Sequence, residues 1–118
     1  MRKTTRYAQG DIVLEQVEDQ PPSGRLVARD PDGAVVLARG EVTGHRHAFY
    51  QGGVVMFRDD ALARDMPPEL YVGHIRIKSD SAQLQHEEHA AITLPRGTYR
   101  VRRQREFDGL ETARVVSD

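Results

Sequence analysis

The sequence predicts an all-β fold, a small β-barrel or sandwich with one short helix. Three observations carry this. The apolar runs are short and rich in Val and Ile, turn signals separate them about every eight to twelve residues, and only one stretch has helical character. One domain is expected to span residues 1–118, because no low-complexity tract, repeat or long linker divides the chain.

In order along the chain, strands are expected over 11–17, 25–29, 34–39, 41–50, 53–58, 70–78, 90–94, 98–107 and 112–116. Asp30-Pro31-Asp32-Gly33 supplies a φ-restricting Pro and a Gly free to turn positive, so 25–29 and 34–39 are expected to pair as a hairpin. Gln51-Gly52-Gly53, Pro95-Arg96-Gly97 and Asp108-Gly109 mark further turns, and Asp19–Gly24 is expected to be the most mobile loop. The helix is placed at Asp59–Met66, where two acids open an Ala/Leu stretch and Pro67-Pro68 stops it.

Composition narrows the function. The 118 residues carry 17 Lys+Arg against 18 Asp+Glu, a net charge of −1, which argues against a globally basic nucleic-acid binder but allows a local basic face. A hydrophobic share of 38% implies a thin core, one that a metal or a second copy of the chain would help, so a homo-oligomer is expected on general grounds. With no Cys, disulfides, thiolate metal sites and thiol catalysis are excluded, and any metal site must use His and carboxylates. The basic opening Met1–Gly10 has no apolar run behind it, so a cytoplasmic protein with no membrane association is expected.

Four of the five histidines fall in two pairs, His45-Arg46-His47 and His86-Glu87-Glu88-His89. In a strand, residues i and i+2 share a face at a separation of about 7 Å, so the imidazoles of His45 and His47 can converge on one ion. Gly44 permits a bulge just before them. In the second pair, the alternation of Leu84, His86, Glu88, Ala90, Ile92 and Leu94 points His86 inward if the strand is regular, and His89 joins only if Glu87-Glu88 turns. The spacing is not that of a helical zinc protease, since His-Glu-x-x-His would need the second His where Ala90 stands.

The leading expectation is therefore one divalent transition ion (Zn, Fe, Ni or Cu) held by His45, His47, His86 and His89. Three His with an open position would make an enzyme acting on a small-molecule substrate, such as a hydrolase, with Glu87 or Glu88 as the catalytic acid–base group; four would close the site. Glu41 shares the parity of His45 and His47 and is a further acid candidate, whereas His74 reads as a satisfied strand histidine. The alternative needs no metal: paired histidines acting as general acid and base on RNA, or an RNA-binding face, with phosphates held by Arg46, Arg100, Arg102, Arg103 and Arg105. A structural or interaction module is the third reading. Phosphate loops, dinucleotide fingerprints and Ser nucleophile elbows have no counterpart in the chain.

The strings Gly40-Glu41-Val42-Thr43-Gly44-His45-Arg46-His47 and His86-Glu87-Glu88-His89-Ala90-Ala91-Ile92-Thr93-Leu94-Pro95-Arg96-Gly97-Thr98-Tyr99-Arg100-Val101, with the opening Gln9-Gly10-Asp11-Ile12-Val13-Leu14, resemble a small bacterial family of uncharacterised function. The His-x-His string and the Pro-x-Gly turn are also partly similar to cupins, a resemblance that implies a metal-holding β-barrel. Gln51 stands where the cupin Glu would be, and no His follows Leu94–Tyr99. The resemblance implies a fold; function must come from the site.

Overall fold

A computed structural model describes residues 5–40 and 44–104. Its regular structure is mostly antiparallel β, with 55% of the described residues in strands. The strands are β1 (Arg6–Gln9), β2 (Ile12–Val17), β3 (Arg25–Leu26), β4 (Val35–Arg39), β5 (Arg46–Phe49), β6 (Val54–Arg58), β7 (Tyr71–Gln85) and β8 (Ile92–Arg103). They form one sheet of order β1-β2-β8-β7-β5-β4, with β6 also on β7 and β3 on β6. Among the described residues β1 and β4 do not pair, so the sheet is open and the barrel expectation is corrected. Among the same residues, no helix is long and apolar enough to cross a membrane.

The long β7–β8 hairpin is the spine. Ile77 pairs with Gly97 and Ser81 with Pro95, so Lys78, Ser79 and Asp80 lie opposite Arg96 alone. This bulge changes which parity is buried, from Ile75 and Ile77 to Ala82 and Leu84 on β7, and from Leu94 to Tyr99 and Val101 on β8. Apolar residues on both sides of the bulge thereby join one core cluster that also takes Ile12, Leu14, Leu37, Phe49 and Met56. Pro95-Arg96-Gly97 thus lies inside one strand, facing the β7 bulge, where the sequence suggested a turn between two. Gly97 sits at φ +150°, and a Cβ there would stand 2.9 Å from Gln16 Nε2.

Other expectations shift for local reasons. The helix expected over Asp59–Met66 is a 3₁₀ turn at Asp60–Ala63, followed by a second at Pro68–Leu70. The stretch is too short to offset helix nucleation, and Asp59, whose carboxylate accepts from Ala61 N–H and from Ser23 Oγ–H at 2.7 Å, caps a single turn. The expected hairpin partner is also exchanged. Arg25 and Leu26 pair with Arg58 and Phe57 of β6, and Val27 N–H donates to Met56 O. The turn at Asp30–Gly33 nevertheless forms, with Gly33 N–H donating to Asp30 O at 2.8 Å. The strand expected over 41–50 is ordered as β5 from Arg46, residues 41–43 lie outside the described residues, and so does the strand expected over 112–116. β1 was not foreseen.

His74 is buried on β7, 2% exposed, stacked on Phe57 at 5.3 Å. Tyr71 Oη accepts from Asp59 N–H, which leaves its hydrogen to donate to His74 Nδ1 at 2.7 Å. Burial, reinforced by the Arg100 charge, pushes the His74 pKa down to about 4. An unfolded chain, with histidine near its ordinary value of about 6.5, binds more protons than the folded one between those limits. Stability is therefore complete above about pH 6.5, falls as pH drops, and levels off below about pH 4. Urea unfolding at pH 7 and pH 4.5 is expected to show this loss, and His74→Gln, which keeps an acceptor for Tyr71 without a titrating ring, is expected to reduce it.

Candidate metal centre

The pairing of β5 with β7 builds the site. Ala48 lies opposite Gln85 and Phe49 opposite Leu84. Carried one, two and three residues further, the same register sets His47 against His86, Arg46 against Glu87 and His45 against Glu88. The side chains obey it although the ladder itself stops at Gln85. The His47 and His86 rings are 4.3 Å apart, Arg46 N–H donates to Glu87 Oε1 at 2.9 Å, and His45 Nδ1 lies 3.9 Å from Glu88 Oε1. His45 and His47 share a strand face, and Arg46 turns the other way, onto Asp30, Asp32 and Tyr50.

Residues 86–91 are the loop between β7 and β8, so strand alternation does not govern them. The condition on which His86 would point inward, a regular strand, is therefore not met, whereas the condition on which His89 joins, a turn at Glu87-Glu88, is. The His89 ring centroid is 4.7 Å from His86 and 6.1 Å from His47, while His86 is 5.5 Å from His45. All four histidines singled out by spacing thus meet at one cleft of about 720 Å³, whose rim also carries Arg39 and Arg103.

A second element closes the site from below. β1 and β2 are joined by Gly10-Asp11, with Gly10 at φ +61°, the position where a tight hairpin of this length takes glycine. A Cβ on Gly10 would stand 2.9 Å from His89 Nε2 and 3.2 Å from His47 Cε1, so the two imidazoles approach this turn only because it bears no side chain. The turn also delivers Gln9 and Asp11, neither of which the sequence reading selected. A Gly-Asp pair between two apolar strands was the available signal.

Gln9 is 2% exposed, and its amide donates to Leu84 O and Ala90 O, both at 2.9 Å. With the NH₂ group so engaged, Oε1 faces His47 Nδ1 at 2.9 Å as an acceptor. His47 Nδ1 therefore carries the proton and Nε2 an open lone pair. That Nε2 lies 3.9 Å from Asp11 Oδ1. Burial, and next the neighbouring His86, push the His47 pKa down to about 4, so the ring is neutral at pH 7. His86 is also lowered, first by burial and then by His89, and its Nδ1 accepts from the N–H groups of Glu88 and His89 at 3.0 and 3.3 Å. A metal would compete with those exposed loop amides for that lone pair, and water can replace it for them.

The two candidate catalytic acids diverge. Glu87 is committed to Arg46 N–H, which holds its carboxyl below the usual range. Glu88 is 72% exposed on its side chain and reaches only towards His45 at 3.9 Å. The arginines of the phosphate reading are engaged by acids: Arg100 with Glu15 and Asp65, Arg102 with Glu15, and Arg103 with Asp11. Arg105 and Glu41 lie outside the described residues. His74 keeps its own partners, Phe57 and Tyr71.

The stretch that builds this site, from the β1 end to the β8 end, is also what a family match covers: the family described as domain of unknown function (DUF8820) matches residues 8–104. The chain belongs to this family. The DUF8820 match takes in Gln9, Asp11 and all four clustered histidines. No curated protein and no solved structure matches the chain, and the likeness to cupins acquires no support from these comparisons.

Gln9→Leu is expected to leave His47 Nδ1 and two carbonyls without their partner, costing about 2–3 kcal/mol in urea unfolding. ¹⁵N NMR of the histidine rings is expected to show His47 as the Nδ1–H tautomer in the parent protein and a mixture of tautomers in the variant.

Proposed function

We propose that this chain binds a divalent transition ion, of the Zn, Fe, Ni or Cu group, at the cleft of His45, His47, His86 and His89. The observation that carries the reading is the convergence of four imidazoles from two segments about 40 residues apart, with ring centroids 4.3 to 6.1 Å from their neighbours. Imidazole lone pairs brought this close to one another can be shared by one cation, which would offset the cost of crowding them.

Donor chemistry and spacing fit. Nitrogen and carboxylate oxygen suit borderline divalent ions, whereas Mg²⁺ and Ca²⁺ favour all-oxygen shells. Two ligands on a tetrahedral ion at about 2.1 Å stand roughly 3.4 Å from each other. The 3.9 Å gaps from His47 Nε2 to Asp11 and from His45 Nδ1 to Glu88 exceed a hydrogen bond and approach that separation. Gln9 supports the reading as the group that presents His47 Nε2. The exposed rim around Glu88 leaves room for a small molecule beside the ion, and Glu88 is the acid–base group available to it.

Elemental analysis of untagged protein after exposure to Zn²⁺ and removal of loose metal is expected to find bound ion and a higher melting temperature, both reversed by a chelator. His47→Ala/His86→Ala, confirmed as folded by its unfolding curve, is expected to lose both effects. Absence of binding across all four metals after reconstitution would overturn the proposal.

A further inference from the structure

The cleft holds more ligand groups than one ion uses. Four imidazoles and the carboxylates of Asp11, Glu87 and Glu88 surround it, against the four positions of a tetrahedral shell. They also divide by position. His45, His86 and Glu87 each offer a ligand atom within 4.8 Å of the other two, and Glu88 stands 3.9 Å from His45 on the same side. His47 and Asp11 lie outside that group. They form a pair of their own at 3.9 Å, over the Gly10 turn where His89 Nε2 also sits.

From this division we infer that the cleft is a two-ion centre, an inference that rests on the metal-binding reading above. One ion takes His45, His86 and a carboxylate of Glu87 or Glu88. The other takes His47 through Nε2, Asp11 and His89, a set more widely spaced than the first, with the His47 and His89 rings 6.1 Å apart. Each set is two imidazoles and a carboxylate, a donor set that leaves positions open on a transition ion. The register explains why the sets are adjacent: His47 and His86 are cross-strand neighbours at 4.3 Å, and each belongs to a different set.

Physical details of the second set support its separate role. Gln9 fixes the tautomer of His47 and so turns His47 Nε2 towards Asp11, its partner in this set. Asp11 is shared between that side and Arg103, whose guanidinium donates to Asp11 Oδ2 at 3.1 Å. Its other oxygen, Oδ1, is the one nearer His47. Asp11 is thus held with one oxygen towards an arginine and the other towards the imidazole, the way an outer partner orients a carboxylate ligand.

The test is the stoichiometry of metal-free protein titrated with Zn²⁺ by calorimetry, and with Cu²⁺ by electron paramagnetic resonance. About two equivalents per chain are expected, with the isolated-ion Cu²⁺ signal giving way to a dipole-coupled one as the second site fills. His45→Ala and, separately, Asp11→Ala/His89→Ala are each expected to lower the count to about one and abolish the coupled signal. A single equivalent in the parent protein, lost in both variants, would overturn the two-ion centre and leave a one-ion site standing. No bound ion in any form would overturn both readings. Unfolding curves for every variant separate lost ligands from lost fold.

Discussion

The pairing of β5 with β7 is the constraint on which the site depends. Only Ala48–Gln85 and Phe49–Leu84 are joined in the ladder, yet they fix which residues face one another beyond it. A slip of one residue would move His47 away from His86 and exchange the faces of all of β5. The register is secured by what it buries: Ala48, Phe49 and Leu84 are fully enclosed in the core. Gln9 then bolts the arrangement from a third strand, joining Leu84, Ala90 and His47 through one amide. Hydrogen bonds of this kind contribute modestly as pairs formed, and cost more when one partner is removed in a buried place.

The bulge at Lys78–Asp80 is the second device. By exchanging the buried parity of β7 and β8 it lets one pair of long strands serve two partners, β6 near the start of β7 and β5 near its end. The end that carries β5 is also the end that carries the histidine loop. Core packing and site assembly are consequences of the same geometric irregularity.

Charge is largely spent on architecture. Glu15 is buried on β2 and receives Arg100, Arg102 and Arg6, and Arg46 ties β5 to the Asp30–Gly33 turn. The exposed pairs elsewhere, such as Arg96 with Asp80, add little stability each. The cleft is different in kind, because imidazoles crowd it and burial lowers the pKa of two of them, His47 and His86.

Much of this was legible from residue order. Short Val- and Ile-rich runs announced an all-β chain, and the two histidine pairs named the four imidazoles that meet at the cleft. Partner choice was not legible: segment 25–29 had a sound turn to join it to 34–39, but Val27 and Leu26 found β6, because pairing is decided by which apolar faces bury together. Pro95 and Gly97 read as a turn since both residues punctuate strands locally, and only pairing with β7 kept them inside one strand, opposite its bulge. Gln9 and Asp11 carry no spacing signal towards residues 36 or more positions away. Sequence by itself determined the residue types and local periodicities, hence the fold class and the histidine set. Tertiary structure alone decided the open sheet, the loop that admits His89, the tautomer of His47 and the approach of the Gly10-Asp11 turn to the histidines, because each depends on contacts between segments that are distant along the chain.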